Sequence, residues 1–282
     1  MSSPQQITTV VATRNRWHRL RESLARHTGP VILVDNGSTD GTVAKVREHF
    51  PGIRVLPLPA NRGATARNIG VAETRTPYVA FADDDSWWAP GALAEAVELF
   101  HHHPRMALLA GRILVGPEQR LDATCRLMAD SPLGTEADLP GPSVLGFLAC
   151  GAVLRRDAFL QAGGFDEVVF FFGEEERLAL DLAAAGWGLA YVEHIVAHHH
   201  PQPAADGRAG RAALASRNRL LTAVLRRPWP QVSRILLSEL GNSSGRRGAA
   251  AALPRLPGAL RRRRQLPAEI EAARRALDRV SF

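Results

Sequence analysis

Three consecutive carboxylates, Asp83-Asp84-Asp85, stand at the end of the apolar run Tyr78-Val79-Ala80-Phe81-Ala82 and are followed by Ser86-Trp87-Trp88. Adjacent carboxylates repel one another, so the cluster needs a positive partner. A hard divalent cation, Mn2+ or Mg2+, suits carboxylate oxygens and shares its coordination with substrate phosphates. On that reading Asp83 and Asp85 are candidate metal ligands. The competing reading is an acidic turn left in solvent, but an apolar strand on one side and a Trp pair on the other suit a pocket wall. Two more residues have the chemistry of a nucleotide site. Asp35 closes the apolar run at residues 31–34, where a carboxylate accepts hydrogen bonds from a base N–H or a ribose hydroxyl. Arg67 belongs to the type that grips phosphate in fork geometry. Taken alone, Asp35 is also an ordinary turn former or helix cap, and Arg67 an ordinary salt-bridge partner.

The elements that must position these residues follow from periodicity. Ile7-Thr8-Thr9-Val10-Val11-Ala12-Thr13 is a β-branched run and predicts a first strand, after which Trp17, Leu20 and Leu24 recur at helical spacing. Strands are predicted at residues 31–34 and 53–56, each followed by a helical segment, and the acidic strand comes next. Alternation of strand and helix predicts a parallel sheet covered on both faces. In such open α/β sheets ligands sit outside the carboxyl ends of the strands, where Asp35 and Asp83 to Asp85 stand. No GxGxxG and no GxxxxGK followed by Ser or Thr is present, so neither a dinucleotide fold nor a P-loop is supported.

The strand ending in Thr13-Arg14-Asn15-Arg16, the loop Val34-Asp35-Asn36-Gly37-Ser38-Thr39-Asp40-Gly41-Thr42, the segment from Asn61-Arg62-Gly63 to Ala66-Arg67-Asn68-Ile69-Gly70, and Phe81-Ala82-Asp83-Asp84-Asp85 together resemble glycosyltransferase family 2. The last resembles that family's DxD element. The resemblance implies a GT-A fold, in which a mostly parallel central sheet is flanked by helices, here over residues 1–205. It also implies a nucleotide-sugar donor, a divalent metal and inversion at the anomeric carbon. On it, Thr13, Arg14, Asp35, Arg67, Asp83 and Asp84 are expected to contact the nucleotide-sugar.

Gly173-Glu174-Glu175-Glu176-Arg177-Leu178 resembles the family's Gly-Glu-Asp, two residues, Leu element, whose acidic residue acts as general base. Glu175 stands where the family has Asp, with Glu174 the neighbouring alternative, and the extra methylene moves the carboxylate. An acceptor hydroxyl attacks poorly until a base within hydrogen-bond reach takes its proton. Crowding among the three glutamates raises a carboxylate pKa, whereas the start of a helix lowers it. Without the family, the stretch is a solvated acidic first helical turn. The preceding Gly163-Gly164-Phe165-Asp166-Glu167 and apolar residues 168–172 favour the functional reading. Family members place a His after the next strand, near metal and diphosphate. That role falls to His199 within His198-His199-His200-Pro201, with the register open by one residue either way and a surface His cluster as the alternative.

Elsewhere the readings are structural. Residues 90–100 predict a helix, and His101-His102-His103 at its end meet the helix dipole more simply than they bind metal. A strand is predicted at residues 106–115, a long mobile loop on the acceptor side at 116–143, and a further strand at 187–197. Cys150, in Ala149-Cys150-Gly151-Ala152, reads as a small core residue, since no basic partner is evident near it.

The formal net charge of +7 hides an asymmetry. Residues 1–200 carry 18 Lys and Arg against 23 Asp and Glu, net −5, whereas residues 201–282 carry 17 against 5, net +12. Residues 206–282 are therefore expected to form a basic helical extension. Arg217 and the arginines at 261–264 either contact an anionic membrane peripherally or pack with their helices on the catalytic domain. No nucleic acid is expected, because no recognised motif is present and Trp229 is the single aromatic among the basic residues. Two unpaired-motif cysteines fit a reducing cytoplasm. Residues 1–6 carry no leader-like pattern, and no apolar stretch is long enough to span a bilayer. The expected activity is transfer of a sugar to a hydroxyl of a glycan, lipid-linked or small-molecule acceptor, in cell-envelope polysaccharide or glycoconjugate synthesis. A catalytically silent nucleotide-sugar-binding module is the alternative, given Glu at the base position.

Overall fold

In the computed structural model, which describes residues 6–201 and 207–280, the first four apolar runs are parallel strands. They are β1 (Ile7–Thr13), β2 (Val31–Asp35), β3 (Arg54–Pro57) and β4 (Tyr78–Asp83). Helices α1 (Trp17–Leu24), α2 (Thr42–His49) and α3 (Thr65–Ala72) connect them, as parallel strands require. Successive strand residues face opposite sides of a sheet, and here both sides are apolar. Val11 and Leu33 pack with Trp17, Leu20 and Val46, whereas Val10 and Val34 pack with Ala66 and Val71. The pairing Thr13↔Asp35 and Ala12↔Asp83 brings the carboxyl ends of β1, β2 and β4 level. That alignment sets the site.

Beyond β4 the chain adds β5 (Ser86–Trp88), α4 (Ala92–His102), β6 (Met106–Val115), β7 (Arg120–Leu121) and α5 (Ala123–Ala129). After these come β8 (Ala152–Arg155), α6 (Arg156–Gln161), α7 (Glu174–Ala184) and β9 (Gly188–His199). Among the described residues the strands form one sheet in the order β3-β2-β1-β4-β8-β6-β9-β5, with β7 on β6. β8 runs antiparallel to both neighbours, and β6 pairs β9 in parallel. This is the expected mostly parallel sheet with flanking helices.

The expected loop at 116–143 is more structured than its sequence suggests. It contains β7 and α5, whose first turn is capped by the Asp122 side chain accepting from Thr124 N–H at 2.8 Å. Farther on, Arg105 donates to Asp138 and Glu136, which ties residues 136–138 to the start of β6. On the other side of the sheet, Phe81, Phe159 and Phe165 meet with ring centroids 5.6 Å apart. All three are fully buried, and burying one Phe is worth roughly 1.5–3 kcal/mol. The cluster fastens the Gly163-Gly164-Phe165 loop to β4.

Helices α8 (Gly207–Arg226), α9 (Trp229–Leu240), α10 (Ser243–Ala252), α11 (Leu256–Arg261) and α12 (Ala268–Val280) follow. The boundary expected between residues 205 and 206 lies within 202–206, outside the described residues, as do the first five residues. Leu221 and Val224 of α8 pack on Val168 and Val169. Buried and half-buried ion pairs hold the helices in place: Arg226 to Asp181, Arg227 to Glu271 at 2.9 Å and Asp278 at 2.8 Å, and Arg274 to Glu176 at 2.7 Å. Among the described residues no helix is long and apolar enough to cross a membrane.

Candidate active site

β4 ends at Asp83, and Asp84 and Asp85 form the turn into β5. The turn is fixed from below, because Ser86 Oγ lies 2.7 Å from Asp83 N–H and accepts from it. Thr13 Oγ1 donates to Asp84 Oδ2 at 2.9 Å, and Ser23 Oγ donates to the Asp84 carbonyl at 2.9 Å. Arg16 forms ion pairs with Asp84 at 3.1 Å and Asp85 at 3.2 Å. Arg14 is exposed at the end of β1 and makes no hydrogen bond or ion pair among the described residues. Arg16 thus neutralises Asp84 and Asp85 as Arg67 does Asp83, whereas Arg14, expected to contact the nucleotide-sugar, stands free of the cluster. Burial, helped by the charges of Asp85 and Asp83, lifts Asp84 to about 7 against the pull of Arg16.

His199 lies 3.3 Å from Asp85 Oδ1. Strand alternation fixes its register: His198 stacks on Trp87 at 5.5 Å and His200 meets the same ring at 4.8 Å, so His199 faces the other way. Burial lowers the His199 pKa, but the Asp85 hydrogen bond and the charges of Asp85 and Asp83 carry it above the ordinary value. Potential ligand atoms of Asp83, Cys150 and His199 all lie within 4.8 Å of one another. A carboxylate and an imidazole fit a divalent ion of the Mn2+ and Mg2+ kind. Burial holds the Cys150 thiol well above its usual pKa, helped by Asp83, Asp85 and Glu175, so it stands in the site as a neutral thiol. The 3-10 turn Ala149–Gly151 that carries it forms the floor between β4 and β9.

Asp35 is buried at the end of β2. Ser38 N–H donates to its Oδ2 at 3.0 Å, while Oδ1 is buried without a partner. An orphaned buried acceptor is costly, and a ligand N–H or O–H would relieve it. Asn15, whose φ of 54° suits Asn more than most residues, joins the end of β1 to this loop. Its N–H donates to Ser38 Oγ at 2.9 Å, and its Oδ1 accepts from Thr39 N–H at 2.7 Å.

Arg67, on the first turn of α3, reaches two acidic groups. It donates to Asp83 and lies 3.7 Å from Glu174 Oε1. Glu174 is buried at the start of α7, and its Oε2 has no partner. Burial first, then the charge of Glu175, pushes Glu174 up to about 8 despite Arg67. Glu175 is half-buried; its pKa is also raised, by burial, although Ala149 N–H donates to its Oε1 at 3.4 Å. Glu176 turns away to Arg274. The structure therefore brings Asp83, Asp84, Asp85, His199, Arg67, Glu174 and Glu175 together, with Thr13 supporting them and Asp35 one strand away.

A carboxyl whose pKa rises on folding binds its proton more tightly in the folded chain. The contribution of Glu174 to stability is therefore full below its ordinary value of 4.5 and is lost as pH climbs towards about 8. Melting temperature should decline over that interval, and Glu174→Gln should flatten the decline. An unchanged slope in the variant would remove Glu174 from this role.

The helix that carries Glu174 and Glu175 is preceded by a loop under strain. Phe170 and Phe172 both have φ of 73°, a region costly for bulky residues. Phe170 carbonyl accepts from Ala64 N–H at 2.6 Å. A Cβ on Gly63 would lie 2.3 Å from that carbonyl, so this close approach needs glycine. From α8, the buried Asn218 amide donates to the carbonyls of Phe171 at 2.6 Å and Phe172 at 2.5 Å, and Arg217 donates to Val169 carbonyl at 3.0 Å. Arg262 pairs with Asp166 and Glu167, and Arg263 donates to the carbonyls of Val224 and Arg227. Much of the basic extension thus holds the segment that leads into Glu174 and Glu175. Asn218 has no local sequence signal, since its acceptors lie 46 and 47 residues away.

The family model described as "Glycosyl transferase family 2" matches residues 8–162. The N-acetylglucosaminyl-diphospho-decaprenol L-rhamnosyltransferase of Mycobacterium tuberculosis is 30% identical over 203 residues, 60% of this chain and 66% of that protein. The pre-mycofactocin glycosyltransferase of the same organism is 34% identical over 221 residues, 74% of this chain and 46% of that protein. The chain thus spans just under two thirds of the first relative and less than half of the second. Among solved structures, the mannosyltransferase from Pyrobaculum calidifontis in complex with GDP-Man and Mn2+ superposes with a TM-score of 0.60 at 18% identity, covering 99% of this chain and 76% of the other. TarS 1-349 of S. aureus in complex with UDP-GlcNAc gives 0.60 at 14% identity, covering 89% and 72%. At such identities the likeness establishes the GT-A fold alone.

Proposed function

The chain belongs to glycosyltransferase family 2, and from this we propose that it transfers a sugar from a nucleoside-diphosphate donor to an acceptor hydroxyl with inversion. The observation that carries the reading is the convergence of the carboxyl ends of β1, β2 and β4 with the start of α7, where Arg67 bridges Asp83 and Glu174. Asp35 offers its unpartnered Oδ1 to the nucleoside, and Thr13, Arg14, Arg67, Asp83 and Asp84 border the nucleotide-sugar. Asp83, Asp85 and His199 would hold Mn2+ or Mg2+. Such an ion, when bound, neutralises the diphosphate and eases its departure.

Burial and the charge of Glu175 lift Glu174 to about 8, and the Ala149 N–H supports the Glu175 carboxylate. Glu175 takes the acceptor proton as the acceptor oxygen bonds to the anomeric carbon. The bond from that carbon to the diphosphate breaks, and the nucleoside diphosphate leaves with the electron pair. A base whose pKa burial has raised suits this task. The rhamnosyltransferase relative is named for a lipid-diphosphate-linked acceptor, which supports a lipid-linked glycan as acceptor here and a role in envelope glycoconjugate synthesis.

Titrating the protein with a panel of nucleotide sugars by calorimetry, with Mn2+ and with chelator, tests the reading. At least one donor should bind, and bind more tightly with metal; binding by none would overturn it. A second test concerns aim. Asn218→Leu should keep donor affinity and lower turnover by about tenfold to a hundredfold, because small misplacements of a reacting group carry costs of that size. A matching rise in donor KM with unchanged kcat would reduce Asn218 to general packing.

A further inference from the structure

Helix α9, in the C-terminal extension, exposes apolar side chains that the catalytic reading does not use. With 3.6 residues per turn, Trp229, Leu236 and Leu240 fall on one stripe with Leu237 beside it. Leu237 is 71% exposed and Trp229 53%. Single exposed leucines are ordinary, but a stripe on one helix is not. The opposite face, through Val232, Gln231 and Glu239, is buried against the rest of the extension. Cationic groups border the stripe at both ends. Arg263 lies 4.1 Å over the Trp229 ring, and Arg246 donates to the Leu240 carbonyl at 3.0 Å. Arg234 is exposed on the helix itself. Between residues 207 and 268 the single acidic residue is Glu239, which is buried and paired with Arg219 at 2.8 Å. Nothing acidic interrupts the exposed surface of α9.

The geometry points to α9 as a docking surface for an anionic phospholipid bilayer. Trp and Leu settle at the headgroup boundary while neighbouring arginines meet anionic headgroups, the pattern of helices that lie in a membrane surface. Exposed arginines are drawn to such a surface, and salt screens the attraction. A second copy of the chain is the poorer occupant, since it would bring two extensions of net +12 face to face. Nucleic acid would answer the charge but leave three leucines without a partner. The docking element differs from that expected from sequence, because Arg217 and Arg262 are engaged within the molecule and Arg263 serves at the edge of α9.

The test is vesicle co-sedimentation of the full chain, with phosphatidylglycerol-containing and pure phosphatidylcholine vesicles at low and high salt, for wild type and Leu237→Glu. Wild type should pellet with the anionic vesicles, less at high salt, and Leu237→Glu should weaken partitioning at least tenfold. An exposed site tolerates that change, and an unchanged melting temperature would verify it; Arg234→Glu, expected to weaken binding in the same direction, is a second probe. Equal binding to both lipids, no binding, or both variants binding like wild type would overturn the proposal. So would a lipid-free mass of a dimer that Leu237→Glu converts to a monomer, or binding to a generic oligonucleotide without binding to vesicles.

Discussion

Glu175→Gln is expected to retain donor binding and lose turnover by a factor of about 10² to 10⁴, the range for removing a positioned general base. The substitution keeps shape and the hydrogen bond from Ala149 N–H while removing the proton acceptor. It also removes the charge that helps raise Glu174, so the Glu174 pKa should fall. Single-turnover rates with a saturating donor are the measurement. If Glu174→Gln lost the activity and Glu175→Gln kept it, the base would be one residue upstream, where the Arg67 contact lies.

Asp83→Asn is expected to have the other large effect, abolishing metal-supported donor binding and with it turnover, by at least about a hundredfold, as expected for losing several kcal/mol of charge stabilisation. Asp83 is the better probe of the cluster because its side chain is 32% exposed, whereas Asp84 and Asp85 are buried among Thr13, Arg16 and His199. The change should leave the fold intact, since it relieves repulsion within three adjacent carboxylates. Arg67 would keep Glu174 as its partner. Calorimetry with Mn2+ separates outcomes: unaltered metal-dependent donor affinity in Asp83→Asn would place the ion elsewhere.

The first half of the sheet was legible because each parallel strand is a short apolar run ending in polar residues, and a buried parallel sheet admits little else. Asp35 and Asp83 were placed by that pattern. The His triplet was legible in type and not in register; the strand runs to His199 rather than stopping at Ala197, and Trp87 then sorts the odd from the even positions. β5 escaped notice because three residues give no periodicity. In 116–143 the cue was Asp122, a capping residue before a seven-residue helix, hidden among Pro, Gly and Asp.

Long-range pairings were beyond sequence reasoning. Arg16 meets Asp84 and Asp85 across 68 and 69 positions because β1 and β4 are neighbours, which no local pattern states. For the basic extension, membrane contact and packing on the catalytic domain stayed open, because charge alone names no partners. Arg226, Arg227 and Arg274 instead find carboxylates far away in the chain: Asp181 for Arg226, Glu271 and Asp278 for Arg227, and Glu176, 98 residues off, for Arg274. What remains exposed is the apolar stripe of α9, whose leucines by themselves had given no signal.

The most direct test of the central claim needs no knowledge of the acceptor. With water in its place, the sugar released from an α-linked nucleotide donor can be followed by proton NMR before the anomers equilibrate. Attack by a nucleophile activated at Glu175, opposite the departing diphosphate, predicts that the β anomer appears first and that Glu175→Gln suppresses its release. First appearance of the α anomer, or no release of sugar from any donor that binds, would contradict the account.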